Sequence, residues 1–436
     1  GASKPKLPNQ PIHNMVMMMS GKKLAIAVDI GTTTIAASLV DGETRERRAF
    51  TGRRNPQGAF GADVVTRLQA ACESGKTLEA LSVSLNGTLE QMVDELLETA
   101  DASRHDLAAL ALAGNPAMEH FLLGLPVTSL AYPPFRPLFT EGRRLRTASL
   151  GWRRNLPAYL FPLPGGFVGG DLVAFLFGAL PEDNAHPLPL APHTLYLDLG
   201  TNGEIALVTH EQIYATSAAA GPAFEGGNLA CGMSALPGAI ERVEVAGDHL
   251  SLTTIGAQAP LGICGSGVID TVAGLLREGV IDATGRLLPP DEIDSNLGTR
   301  VTAIEGIPCF ILYRDASRMI YLSQDDIRQV QLAKAAIRAG MEILLQRAKI
   351  TGEDLAGVVL TGSFGAVITP EDLKNVGIFP ENMVKIASFI REGALAGIER
   401  ALYVRDGFTA VDDFARQLRV VPLSGTPAFE RHFLEQ

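Results

Sequence analysis

A carboxylate followed by a tight Gly–Thr–Thr turn near the start of the chain could hold a phosphate group and its metal ion. The segment is residues 24–40, LAIAVDIGTTTIAASLV, in which apolar runs flank Asp29 and the turn 31–34. These runs are typical of buried strands, so the segment predicts a hairpin. Such a hairpin directs backbone N–H groups and threonine hydroxyls toward one point, beside a carboxylate that binds a metal ion directly or through water. An ordinary buried hairpin would show the same residues.

The pattern recurs in the second half of the chain, at residues 195–208, LYLDLGTNGEIALV. Asp198 occupies the place of Asp29, and the turn 200–203 occupies the place of the turn 31–34. Two copies of one hairpin indicate two similar halves. We expect each half to supply one hairpin to a shared phosphate cleft.

A third segment completes the set. Residues 357–368, GVVLTGSFGAVI, read as an apolar strand that ends in a glycine-rich turn. Glycines there would let a flat ring or a ribose lie against the backbone. Any one of the three segments has an ordinary structural explanation, but that explanation is far weaker for all three in this order.

Composition excludes several classes of function. The chain has 436 residues, long enough for two or three domains, and a net charge of −11, which gives no basic footprint for nucleic acid. No apolar run reaches the length of a membrane span, so we expect no membrane partner. The cysteines lack any zinc or iron–sulfur spacing, which favours scattered reduced thiols in the cytoplasm. They are Cys72, Cys231, Cys264 and Cys309.

The order strand–DxGTT, strand–DxGTN, strand–TGSFG resembles the actin, heat-shock chaperone and sugar kinase (ASKHA) ATPase superfamily. Other stretches are similar to one branch, the ATP-dependent reductive activators of corrinoid proteins, which return cobalt(II) to cobalt(I). These stretches are residues 114–125, 165–174, 218–227, 231–241, 262–270 and 326–340. The resemblance covers most of the chain.

The resemblance implies an α/β fold of two duplicated ribonuclease-H-like, actin-like ATPase subdomains around a central nucleotide cleft. We expect the first subdomain at residues 23–192. The second would follow at 193–436 and include a C-terminal helix and strand. Residues 1–22 are interpreted as a disordered lead-in or a cloning remnant.

The resemblance also implies roles for the residues of the turns. Asp29 and Asp198 would face Mg²⁺, usually through water. The phosphates of ATP would be bound by Gly31, Thr32, Thr33, Thr34, Gly200, Thr201, Asn202 and Gly203. The nucleoside would contact Gln331, Lys334, Gly362, Ser363 and Gly365. No Walker A lysine is present, so the P-loop route is excluded.

Three acidic residues are candidates for catalysis: Asp171, Asp198 and Glu204. Asp171 begins an otherwise apolar helix, where a buried carboxylate is costly without a partner. In the chaperone ATPases an acidic residue near this helix start helps to position the water, so the resemblance implies water orientation or general-base action for Asp171. The alternative is an Asp that only complements the helix dipole. For Lys334, the alternative to nucleoside contact is a side chain that merely extends along its apolar helix stripe.

We therefore expect an ATPase that activates a corrinoid protein. The alternatives are a sugar or acid kinase of the same superfamily and a regulator that binds nucleotide and a protein. Characterised activators carry an iron–sulfur module, whose ligand spacing is missing here. Either that module lies outside this sequence, or a separate iron–sulfur protein supplies electrons, or the chemistry differs. The sequence does not fix the oligomeric state, although members of the resembled family tend to pair.

Overall fold

The computed structural model describes residues 24–181, 190–362, 368–423 and 426–435. The chain forms two compact units. The first comprises Gly1–Leu190 and Glu392–Val420, and the second comprises Ala191–Arg391 and Val421–Gln436. The expected lead-in 1–22 and two of the expected nucleoside residues, Ser363 and Gly365, lie outside the described residues. No described helix combines the length and apolarity that crossing a membrane requires.

The first unit is built on a six-stranded mixed sheet. Its strands are β1 Leu24–Ile30, β2 Thr34–Asp41, β3 Arg47–Arg54, β4 Leu107–Gly114, β5 Arg143–Arg146 and β6 Pro157–Leu160. They lie in the order β3-β2-β1-β4-β6-β5. Strand β1 pairs antiparallel with β2 and parallel with β4, so the carboxyl ends of β1 and β4 meet at one edge. Its central position explains why β1 is a nearly continuous apolar run.

Five α-helices accompany this sheet within residues 24–181. They are α1 Val64–Glu73, α2 Gly75–Thr99, α3 Pro116–Leu122, α4 Thr128–Ala131 and α5 Gly170–Gly178. Helix α2 packs one apolar stripe inward, since Leu81, Leu85 and Leu89 are buried. Helix α5 begins one residue before Asp171, as its apolar sequence predicts.

The second unit repeats the central strand arrangement. Its strands are β7 Thr194–Leu199, β8 Gly203–Val208, β9 Ile213–Ala218, β10 Ala239–Ala246, β11 His249–Thr254, β12 Gly262–Ile263, β13 Val301–Ile304, β14 Ile307–Arg314, β15 Met319–Ser323, β16 Gly357–Thr361 and β17 Ala387–Phe389. The largest sheet contains β17, β16, β7, β8 and β9 in that order. Strand β7 pairs antiparallel with β8 and parallel with β16, as β1 does with β2 and β4. This repetition confirms the predicted duplication.

In the part of the second unit that the structure describes, two small sheets and four α-helices accompany the large sheet before Glu392. The small sheets have the orders β11-β10-β12 and β13-β14-β15. The helices are α6 Gly265–Arg277, α7 Gln324–Ala348, α8 Pro370–Asn375 and α9 Glu381–Val384. Helix α7 begins with a capping box: the Ser323 hydroxyl accepts from the Asp326 N–H, and the Asp326 carboxylate accepts from the Ser323 N–H.

The last part of the chain is shared between the units. The elements are α10 Gly393–Tyr403, α11 Gly407–Ala415, a short strand β18 Leu418–Val420, and α12 Pro427–Glu435. Helices α10 and α11 belong to the first unit, whereas α12 belongs to the second. Helix α10 crosses α5 at close range, because a Cβ on Gly397 would overlap the Ala174 carbonyl.

Candidate functional site

The first hairpin has the tight turn that the sequence predicts. Strands β1 and β2 pair as far as Ile30 and Ile35, which leaves residues 31–33 in the turn. Gly31 is required there, because a Cβ would clash with the Thr34 carbonyl oxygen. The Asn55 side chain donates from Nδ2 to the Gly31 carbonyl at 2.8 Å and fixes the turn from outside.

The start of α3 is tied to this turn by a residue that sequence reasoning missed. Asn115 caps α3, since its Oδ1 accepts from the N–H groups of Ala117 and Met118. Its Nδ2 donates to Thr32 Oγ1 at 2.9 Å. The Asn–Pro step in the stretch 114–125 is a helix-start signal and could have identified the cap, but not its contact with Thr32.

The second hairpin places the second set of predicted residues at a strand end in the same way. Asp198 lies opposite Glu204 in the β7–β8 pair, and residues 200–202 form the turn. Glu204 is buried in β8 and accepts from the Ser217 hydroxyl at 3.3 Å. Asp198 and Glu204 are therefore neighbours at one end of this sheet.

A second missed residue, Glu225, lies beside this turn. It ends a short 3-10 helix, Pro222–Glu225, and its carboxylate accepts a short hydrogen bond from the Thr201 hydroxyl. The position of a Cβ on Gly200 would be 3.5 Å from Glu225 Oε1. The sequence stretch 218–227 carries the family resemblance, but nothing in it singles out the glutamate.

Asp171 combines partial exposure with an unfavourable electrostatic environment. Its Oδ1 accepts from the Leu172 N–H at 2.8 Å, so the carboxylate lies over the first turn of α5. Desolvation by the surrounding protein atoms raises the pKa of Asp171 to about 6, although hydrogen bonds from the backbone oppose the rise. A carboxylate with this pKa is largely ionised at neutral pH and basic enough to take a proton. The geometry thus accommodates both the catalytic role and the dipole role.

Three of the five residues predicted to contact the nucleoside lie within the described part of the chain, and the contacts found for them are with residues outside this set. Gln331 Nε2 donates to the Thr284 carbonyl at 3.0 Å, so this side chain is engaged with a surface loop. Lys334 Nζ lies 3.0 Å from where a Cβ on Gly377 would sit. Burial lowers the pKa of Lys334, and the nearby charge of Arg338 lowers it further. Gly362 follows β16 directly, and the two remaining predicted residues are those outside the described part.

No group of three or more His, Cys, Asp and Glu side chains suited to a metal ion occurs among the described residues. All four cysteines are free thiols, two of them buried. The structure therefore gives no iron–sulfur ligand set in the part of the chain that it describes. Carboxylates that act on Mg²⁺ through water need no such cluster.

Comparison with protein-family models matches both parts of the chain. The model described as the C-terminal domain of RACo, the ASKHA domain, matches residues 192–436, and the model of the RACo middle region matches residues 24–179. The chain belongs to the RACo family. The predicted superfamily and branch are thereby confirmed.

Individual RACo relatives support this membership. The corrinoid activation enzyme RamQ of Eubacterium limosum is 32% identical over 421 residues, covering 94% of this chain and 69% of RamQ. The [Co(II) methylated amine-specific corrinoid protein] reductase of Methanosarcina barkeri is 26% identical over 400 residues, covering 84% and 67%. A solved reductive activator for corrinoid, iron–sulfur protein superposes with a TM-score of 0.85 at 28% identity, covering 95% and 66%. This RACo chain thus spans about two thirds of the length of these relatives.

Proposed function

We propose that this chain is an ATP-hydrolysing activator that drives the reduction of cobalt(II) to cobalt(I) in a corrinoid protein of a methyl-transfer system. The observation that carries the proposal is 32% identity to a corrinoid activation enzyme across 94% of the chain. A second, independent support is the duplicated hairpin of the fold, with Asp29 and Asp198 at equivalent strand positions.

The two hairpins bind one Mg²⁺–ATP in this proposal. Asp29 and Asp198 hold the metal ion through water, and the eight turn residues donate to the phosphates. Gln331, Lys334, Gly362, Ser363 and Gly365 form the nucleoside side. When bound, Mg²⁺ neutralises charge on the phosphates, and the chain itself supplies orientation and hydrogen bonds.

Hydrolysis in this proposal depends on Asp171, which orients the attacking water and accepts its proton. Asp198 and Glu204 are the other acidic candidates. Hydrolysis would then reset the surface that binds the partner.

The partner is a corrinoid protein, and the electrons come from an iron–sulfur group, either on a separate protein or on a module outside this sequence. We further propose a homodimer in the cytoplasm, where the four free thiols would stay reduced. ATP hydrolysis would couple to electron transfer by favouring one ligation state of the cobalt.

ATP turnover in the presence of candidate partners tests this function against its alternatives. We expect cobalt(II) corrinoid protein to stimulate ADP release by the purified chain. ADP release that depends on a sugar or an acid from a metabolite panel would instead identify a kinase. ATP binding without turnover under any partner would identify a regulator.

A further inference from the structure

Glu119 in α3 is a completely buried carboxyl group with half of its hydrogen-bonding capacity unused. Its side chain has no exposed surface. Its Oε1 accepts from the Gly114 N–H at 3.3 Å, whereas its Oε2 has no hydrogen-bond partner among the described residues. An ionised carboxylate in this position would be costly, and a protonated one far less so.

Two glycines bring this carboxyl group close to the start of α5. A Cβ on Gly170 would lie 2.5 Å from Glu119 Oε1, and a Cβ on Gly169 would lie 2.8 Å from Asp171 Oδ1. The same Cβ on Gly169 would lie 2.5 Å from the Gly114 carbonyl oxygen. The end of β4 and the start of α5 therefore touch, and Glu119 and Asp171 flank that contact.

The surrounding groups favour a single negative charge on this pair. Burial raises the pKa of Glu119 well above its usual value, and the charge of Asp171 raises it further. On β6, the pKa of Tyr159 is raised chiefly by burial and partly by the charges of Asp412 and Glu119. On α3, burial lowers the pKa of His120 to about 4, so the imidazole is neutral. No described cation contributes to the pKa of Glu119.

We propose that Glu119 is a positioning residue of the hydrolytic site, which keeps the one proton of the Glu119–Asp171 pair and so leaves Asp171 ionised toward the attacking water. This inference rests on the proposed function through the role of Asp171. In the step, the water oxygen bonds to the γ-phosphorus as the bond to ADP breaks, and the water proton passes to Asp171. That proton then leaves to solvent from Asp171, because Asp171 is partly exposed and Glu119 is not.

Infrared difference spectra of the intact chain labelled with ¹³C-glutamate test the protonation state directly. We expect a protonated glutamate carbonyl band at neutral pH that is lost in Glu119→Gln. The matched control is Glu90→Gln, because Glu90 is also a buried glutamate but is ion-paired with Arg153. That variant should leave the band unchanged. Absence of the band in the wild-type chain would overturn the inference.

The pH profile of kcat supplies the functional readout. Gln at position 119 keeps the acceptor for the Gly114 N–H but cannot ionise. Once Glu119 ionises at alkaline pH, the doubly charged pair repels the phosphates. Wild-type kcat should therefore fall about tenfold for each further pH unit. The kcat of Glu119→Gln should stay constant over the same alkaline range. Identical profiles would assign Glu119 a structural role and reject the inference. A wild-type chain without any ATP turnover would reject the proposed function and this inference together, whereas a missing band in an active chain would reject only the inference.

Discussion

At the scale of single residues, the account rests on carboxylates whose chemistry depends on their surroundings. Asp171 lies at the start of an apolar helix with a pKa raised to about 6 by desolvation. Asp270 in the second unit also has its pKa raised to about 6 by burial, but it accepts from the Val243 N–H and pairs with Arg242. Two similar pKa values therefore accompany different environments, and the proposed hydrolysis uses only Asp171.

The substitution Asp171→Asn should lower kcat for ATP hydrolysis by about 10²- to 10⁴-fold while the affinity for ATP changes little, because only proton transfer is removed. In the wild-type chain, kcat should fall as pH drops through about 6, since Asp171 must be ionised. Steady-state ADP release and nucleotide titration measure both. Asp270→Asn is the matched control and should keep kcat within about threefold; an equal loss in both variants would contradict the role of Asp171.

The same substitution should stabilise the first unit. The folded-state pKa of Asp171 is raised above its unfolded value of 3.8, so the folded state binds the proton more tightly. The resulting destabilisation is absent below about pH 4 and complete above about pH 6. We expect Asp171→Asn to raise the free energy of unfolding by about 1–3 kcal/mol at pH 7 and by little at pH 4. Urea denaturation at both pH values measures the difference, and a gain that is equal at both would be inconsistent with desolvation.

Asp29→Asn and Asp198→Asn test the metal role separately. Each should weaken Mg²⁺ binding in the presence of ATP by about 10- to 100-fold, because each removes a carboxylate that orients metal-bound water. Calorimetric titration with and without Mg²⁺ separates this effect from binding of ATP alone. If only one substitution has an effect, the two hairpins do not serve the same metal ion.

The residues of the candidate site were predictable where a pattern repeats. Asp29 and Asp198 stand out because one hairpin occurs twice in the chain. Asn115, Glu119 and Glu225 occur once each, and their significance lies in contacts with distant residues that no local spacing encodes. Long-range contacts of this kind are set by tertiary packing and are therefore invisible in a single sequence.

At the scale of elements, α5 and α10 cross at close range within the first unit. A Cβ on Gly397 would overlap the Ala174 carbonyl, and a Cβ on Gly178 would lie 2.9 Å from the Gly397 Cα. A side chain at either glycine would therefore overlap the facing helix. The crossing also fixes α5, the helix that carries Asp171.

The substitution Gly397→Ala should therefore destabilise the chain by about 1–3 kcal/mol or more through overpacking. The control is Gly87→Ala in α2, where nothing lies within 4 Å of the added Cβ and the helix interior gains by about 0.5–1 kcal/mol. Thermal unfolding of both variants should thus show shifts of opposite sign. A stabilising Gly397→Ala would mean that the two helices do not touch as described.

The sequence predicts most helices and strands, but it does not predict which other elements each of them packs against. Apolar periodicity indicates α2, α7 and α10, whose hydrophobic residues recur at helical spacing. It does not reveal that α10 belongs to the first unit, because a helix stripe records only that one face is buried. Helix α11 was not predicted at all; Val411 and Phe414 are buried in it, but the segment has only 9 residues, too few to show a clear helical period.

At the scale of the whole molecule, the fold is the one expected for the RACo family. The remaining question is how ATP hydrolysis is coupled to the reduction of cobalt. The chain spans about two thirds of the length of its relatives, so electron delivery and partner binding are proposals for this chain. The fold alone supports kinases and chaperones as well as activators. Only an assay that contains both nucleotide and cobalt distinguishes activation from the other functions.

The most direct test follows the cobalt(II) signal of a purified corrinoid protein by electron paramagnetic resonance, with this chain, a low-potential reductant, Mg²⁺ and ATP. The account predicts that the cobalt(II) signal disappears and the cobalt(I) absorbance appears only when ATP is present, and that Asp171→Asn abolishes repeated turnover. A cobalt(II) signal that is unchanged with every corrinoid partner, despite ATP hydrolysis by the chain, would contradict the central claim.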